Sequence, residues 1–125
     1  MQFGIMGSAY MNKIIGVEKP RVALANIGAE ESKGRDLDRE AYHQLQKAPV
    51  NFIGNLEARQ LPMGDCDVCV ADGFSGNMLL KLYEGMAKFF SGELKGMLTE
   101  LLDKAGLENY EIARPDENTA FAEAV

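Results

Sequence analysis

Residues 66–85, CDVCVADGFSGNMLLKLYEG, constrain the fold more than any other stretch of this chain. Cys66 to Ala71 are apolar or small apart from Asp67. Val68 and Val70 are β-branched and the run is short, which predicts a buried strand. Asp72, Gly73, Phe74, Ser75, Gly76 and Asn77 read as a turn-rich break, and helical apolar spacing begins at Met78. A strand, a glycine-containing loop and a helix in that order place the loop at the carboxyl end of the strand, where open α/β sheets bind ligands. A helix start after Asn77 would present free backbone N–H groups and the positive end of a dipole, which suits an anion such as phosphate. Gly73 and Gly76 would let the backbone approach that anion closely. A plain strand–helix connection accounts for the same residues, because Gly and Asn are ordinary turn formers.

The rest of the chain repeats this grammar. In QFGIMGSAYMNKII, residues 2–15, Phe3, Met6, Tyr10 and Ile14 recur at helical spacing and mark one apolar face. Gly4 and Gly7 weaken such a helix but permit close packing, and Gly16 stops it. After Pro20, Arg21 to Ile27 predict the first strand, followed by the polar loop GAEESKGRD at 28–36. Leu37, Ala41 and Leu45 predict a helix that Ala48 and Pro49 close. His43 falls between those core positions and is read as facing water. It is a poor catalytic base, since local sequence places no carboxylate beside it. Val50 to Ile53 predict a second strand and 54–65 a loop. Helices alternating with strands indicate an α/β fold, a mostly parallel sheet flanked by helices. Parallel strands would bring the loops at Gly28, Gly54 and Gly73 to one edge.

From about Met78 to Lys104 the pattern is one long amphipathic helix. Leu79, Leu82, Tyr83, Met86, Phe90, Leu94, Met97, Leu98 and Leu101 form its stripe, widened by Leu80, Phe89 and Leu102. The excess apolar surface fits intramolecular packing, another helix, a second subunit or a membrane surface. Lys81, Lys88 and Lys95 recur every seven residues, as either a solvated face or a contact for an acidic partner. Residues 1–105 are expected to form one partial α/β domain and 106–125 an acidic tail.

Charge and cysteine content narrow the partners. A net charge of −6 argues against nucleic-acid binding. Cys66 and Cys69 stand three apart, so in a strand they would point to opposite faces; with no second pair, they read as buried free thiols, not a metal site. That fits a reducing compartment. No apolar run reaches membrane-spanning length.

Three loop groups would converge at the shared edge: Glu30, Glu31, Ser32 and Lys33; Asn55 and Glu57; and Asp72, Ser75 and Asn77. Lys33 supplies a cation and Gly34 lets its loop turn. Ser75 and Asn77 can donate hydrogen bonds to an oxyanion. A lysine, amide donors and a helix N-terminus suit acyl transfer to or from phosphate, with Lys33 neutralising phosphate and Asn77 stabilising a tetrahedral intermediate. A single His in an unrelated helix disfavours serine catalysis through a triad.

The segments MGSAY at 6–10, PRVALANIGAEESKG at 20–34, NFIGNLEAR at 51–59 and ADGFSGNMLLKLYEG at 71–85 resemble the bacterial phosphate acyltransferase family of phospholipid synthesis. Their order and spacing match through roughly the first hundred residues. The resemblance implies part of an isocitrate/isopropylmalate dehydrogenase-like, phosphotransacetylase-like fold. It implies conversion of acyl-[acyl-carrier protein] and inorganic phosphate to acyl phosphate and carrier protein, with no metal or organic cofactor. It further implies a cytoplasmic homodimer with peripheral membrane contact, whose product feeds a membrane acyltransferase. By motif, Lys33 and Asn77 are the catalytic residues. Asp72, Gly73, Ser75 and Gly76 would shape the substrate site, and Gly54, Asn55 and Glu57 would line its far wall.

Two departures qualify the expectation. The family's glycine-rich N-terminal segment and its downstream closing segment have no counterpart here, so the chain reads as an internal or truncated piece. Its own activity is therefore in question, because half a cleft does not pre-organise reacting groups as an intact one does. The alternative is a non-catalytic module that dimerises or docks on a partner through its long helix. A phosphotransacetylase using coenzyme A is the nearest enzymatic competitor.

Overall fold

The computed structural model of the protein describes residues 1–106; the tail expected beyond them lies outside the described residues. The chain divides into two units, Met1–Asn77 and a second that starts at Met78.

In the first unit, three parallel strands pair in the order β2-β1-β3. They are β1 (Arg21–Asn26), β2 (Asn51–Glu57) and β3 (Val68–Val70). The expected parallel α/β arrangement is therefore present. Helix α1 spans Gln2–Tyr10 and continues through a π-helical turn, Met11–Ile15, to Gly16, whose φ of 85° stops it. Helix α2 spans Asp36–Gln46. The core is Val22, Leu24, Leu45 and Val70, with Ala41, Tyr42, Val50, Phe52 and Val68 packed around it. Val22 and Leu24 alternate with Ala23, so the two sides of β1 are set by strand periodicity.

Helix α1 packs by the face opposite to the one its apolar spacing predicts. Phe3 and Ile14 are 72% and 67% exposed, and Met6 and Tyr10 are exposed with them. Gly4 is the buried residue of the helix. A methyl group on Gly4 would come within 2.7 Å of Leu45 Cδ2, and one on Gly7 within 2.6 Å of Val68 Cγ1. The backbone of α1 lies so near the sheet that side chains do not fit between them, and glycine decides the orientation.

Strand β2 also departs from expectation. It was expected to stop at Ile53 but runs to Glu57. The register steps from Val22↔Phe52 to Ala23↔Gly54, which leaves Ile53 as the extra residue of a bulge. Gly54 takes a φ of 99°, where a side chain is disfavoured. Pairing then resumes, Leu24 with Asn55 and Asn26 with Glu57. A 3-10 helix, Ala58–Met63, follows.

Helix α3 spans Gly73–Lys104, 32 residues or about 48 Å. The long helix is thus present, but it begins five residues before the expected start. Within it Lys81 pairs with Glu84 at 2.8 Å, and Phe89 and Phe90 meet edge to face. No helix among the described residues is long and apolar enough to cross a membrane.

Candidate functional site at the carboxyl ends of the strands

Parallel pairing brings the ends of β1, β2 and β3 to one edge of the sheet, as the sequence reading expects. The groups meeting there differ from three glycine loops. Gly54 and Asn55 lie inside β2, Glu57 is its last residue, and Gly73 is the first residue of α3. The connection from β1 to α2, residues 27–35, is the true loop. It carries Glu30, Glu31, Ser32 and Lys33.

Two asparagines from adjacent strands hold that loop. The Asn26 carboxamide donates from Nδ2 to the Lys33 carbonyl at 3.1 Å, while its Oδ1 accepts from the Ile27 N–H at 2.8 Å. Asn55 donates from Nδ2 to the Glu30 carbonyl at 2.8 Å. The Lys33 N–H donates to the same carbonyl at 3.0 Å, closing a turn. Gly34 follows with a φ of 89°, and a methyl group there would sit 2.7 Å from Asn26 Oδ1. The backbone on both sides of Lys33 is therefore determined, while its side chain is exposed. Among the described residues no ion pair engages its ammonium. Asn55 is buried, and its Oδ1 accepts no hydrogen bond from the described residues.

The start of α3 corrects the anion reading. Asp72 caps the helix: the Ser75 N–H donates to Asp72 Oδ1 at 2.8 Å and the Ser75 hydroxyl to Oδ2 at 2.9 Å. Asp is a preferred N-cap because its oxygens take the free N–H groups of the first turn. The anion at this helix start is thus the protein's own carboxylate. Asn77 lies one turn further in, so its backbone N–H belongs to the helix ladder and its side chain, which is exposed, is the group on offer. A methyl group on Gly73 would meet nothing, and one on Gly76 would touch Ala71 at an ordinary 3.5 Å.

Arg35 was not among the expected site residues. Its Nη2 donates to Asp38 Oδ1 at 2.8 Å and to Asp72 Oδ2 at 2.6 Å, and its Nε donates to Asp38 Oδ2 at 2.9 Å. The Ser75 N–H and the Arg35 guanidinium hold the Asp72 carboxyl well below the usual carboxylate range. Arg35 does the same to Asp38, and its own guanidinium is pushed further up by both partners. The Arg35–Asp38 contact was legible at i,i+3 on a helix start; the reach to Asp72, 37 residues away, was not.

Other expected residues fall as follows. Glu57 pairs with Arg59 at 3.0 Å and its N–H donates to Gln60 Oε1. His43 does have a carboxylate beside it: Nδ1 lies 3.4 Å from Glu31 Oε1, with both side chains half exposed. Its exposure is as expected; the partner comes from the loop 12 residues upstream. Cys66 and Cys69 are free and partly buried. Cys66 precedes β3 and only Cys69 lies in it, so strand alternation does not fix their relative directions; burial pushes the Cys66 thiol up. Burial, and then the neighbouring Cys66, push the Cys69 thiol up to about 11.

At the opposite edge of the sheet a groove of about 490 Å³ is lined by residues including Lys19, Pro20, Pro49, Asn51 and Phe52. It contains none of the expected site residues.

Comparison with known proteins gives a consistent result. A family model described as "Fatty acid synthesis protein" matches residues 1–109. A protein of Acetivibrio thermocellus named "Phosphate acyltransferase" is 48% identical over 101 residues, covering 81% of this chain and 30% of that protein. One of the same name from Elusimicrobium minutum is 52% identical over 96 residues, covering 77% and 28%. Another from Brevibacillus brevis is 47% identical over 107 residues, covering 85% and 32%. The chain spans about 30% of the length of these curated relatives.

Proposed function

This chain belongs to the fatty acid synthesis protein family, and from that premise we propose that it carries the phosphate-side half of a phosphate acyltransferase site. The reaction is reversible transfer of an acyl group from acyl carrier protein to inorganic phosphate. A phosphate oxygen attacks the thioester carbonyl, the C–O bond forms and the C–S bond breaks. The proton lost by phosphate ends on the carrier thiol. Lys33 neutralises the phosphate, and the Asn77 carboxamide donates to the oxyanion of the tetrahedral intermediate. Gly54, Asn55, Glu57, Gly73, Ser75 and Gly76 shape the surrounding wall, and Asp72 sets the helix that bears Asn77.

The observation that supports this reading is the backbone clamp on Lys33. Two strand asparagines fix the loop while leaving the ammonium exposed, at the same sheet edge as the first turns of α3. Pre-set geometry of that kind lowers the reorganisation cost of the reaction. Further parts of the proposal are an isocitrate/isopropylmalate dehydrogenase-like fold for the whole protein, homodimer formation, and a cytoplasmic location with peripheral membrane contact.

The test is phosphate-dependent consumption of long-chain acyl-carrier protein by the purified chain, with Lys33→Ala and Asn77→Ala alongside. Turnover is expected in the parent and lost in both variants. Retained turnover in either variant removes that residue's role. Consumption of acyl-coenzyme A in preference to the carrier thioester would indicate a phosphotransacetylase.

A second reading has its own observation. The exposed row Phe3, Met6, Tyr10 and Ile14 on α1 is apolar and uncovered among the described residues. It favours an association module without turnover, which would show concentration-dependent assembly and no phosphate-dependent chemistry.

A further inference from the structure

The loop that bears Lys33 is anchored to β1 through Asn26 and to β2 through Asn55. Neither anchor reaches the β3–α3 junction, where Asn77 resides. Among the described residues one hydrogen bond crosses from the loop to that junction: Arg35 Nη2 to Asp72 Oδ2, at 2.6 Å. Arg35 is two residues after Lys33. Asp72 in turn holds Ser75 through both its N–H and its hydroxyl, two residues before Asn77. A single guanidinium thus stands between the two elements that bear the proposed catalytic groups.

We propose that Arg35 is a positioning residue, which locks the Lys33 loop against the first turn of α3 by holding Asp38 and Asp72 together. This rests on the acyl-transfer reading of Lys33 and Asn77. The planar fork of arginine suits the task, since its Nε and Nη2 grip Asp38 while Nη2 also reaches Asp72. A lysine offers one point charge and holds both carboxylates less well. The competing role is local: Arg35 stands at the N-cap of α2, and its own N–H donates to Asp38 Oδ2 at 2.8 Å. That cap would be complete without Asp72. The Arg35 side chain is 61% exposed, so the pair is screened and adds little to global stability. Its effect is in placement.

The experiment uses the full chain with Arg35→Met, Arg35→Lys and Lys33→Ala. Amide hydrogen exchange comes first, because it does not depend on turnover. Arg35→Met is expected to speed exchange at both the Lys33 and Ser75 amides, by about threefold to tenfold. Faster exchange confined to the Asp38 and Arg39 amides would mean a helix cap alone and would overturn the proposal. Kinetics come second. Arg35→Met is expected to lower kcat by roughly tenfold to a hundredfold, with KM for phosphate within about twofold, and Arg35→Lys to recover part of the loss. A normal kcat in Arg35→Met beside an inactive Lys33→Ala overturns the positioning role and leaves the site reading intact. Normal turnover in Lys33→Ala overturns the site reading, and the positioning role with it. A parent chain without turnover overturns the activity of this chain, and the exchange result then decides whether the clamp exists.

Discussion

Gly4 and Gly7 on α1 and Gly73 and Gly76 at the start of α3 are two pairs of the same spacing, yet their surroundings differ. Around the first pair the missing side chains are the contact: Leu45, Val22, Val70 and Val68 fill the space that a methyl group would need. Around the second pair there is room, and the local structure is set by charge, with Asp72 taking the Ser75 N–H and Arg35 neutralising Asp72. One region is held by shape, the other by hydrogen bonds and ion pairs near solvent. The first should therefore be sensitive to volume and indifferent to pH, and the second the reverse.

The largest effect that would break this contrast is in the shape-held region. Gly7→Ala is expected to destabilise the fold by about 1–3 kcal/mol, because the added methyl group would come within 2.6 Å of Val68 Cγ1 on a β-branched side chain of restricted χ1, offset by up to about 1 kcal/mol of gained helix propensity. Gly4→Ala should behave alike, since Leu45 is fully buried and has nowhere to move. Urea unfolding gives the number, and a neutral result would mean that α1 slides over the sheet.

Acid titration addresses the other region. The folded-state pKa values of Asp72 and Asp38 are depressed, so the stability they contribute is present above the unfolded value. It is lost as pH falls below about 4 and through the lowered folded values. Amide exchange at Ser75 should rise in that window before exchange at Val22 does. Simultaneous opening would show that the two regions form one cooperative unit. Salt is a weaker probe of the same claim: about 1 M sodium chloride should loosen the Ser75 amide in the parent and change little in Arg35→Met.

The smallest expected effect is Gly76→Ala, neutral to stabilising by up to about 1 kcal/mol, since the added methyl group meets Ala71 at 3.5 Å in a helix. A marked loss of stability would show that this glycine also serves a close contact.

How far the site was legible depends on the range of the interactions. Lys33 and Asn77 could be singled out because they sit in motifs a few residues long. The cap by Asp72 was also available locally, as an Asp three residues before a Ser, but the glycines around it made the segment look like a loop. The bulge at Gly54 hid the continuation of β2, because a glycine between short apolar runs ordinarily marks a turn. The His43–Glu31 and Arg35–Asp72 contacts join segments that no periodicity relates.

By itself the sequence determined the alternation of helices and strands, the parallel sheet that follows from it, the stop at Gly16, the long helix after the third strand and the family resemblance. The elements depend on the spacing of apolar residues and on glycine stops, which act over one or two turns of chain, and the family resemblance on four motif segments in order. Tertiary structure alone decided which face of α1 meets the sheet and that Arg35 reaches Asp72. An apolar stripe states only that a helix has a face to cover. The sheet accepts α1 at a distance where only glycine fits, and an arginine finds its second carboxylate only after the parallel strands have brought their ends together.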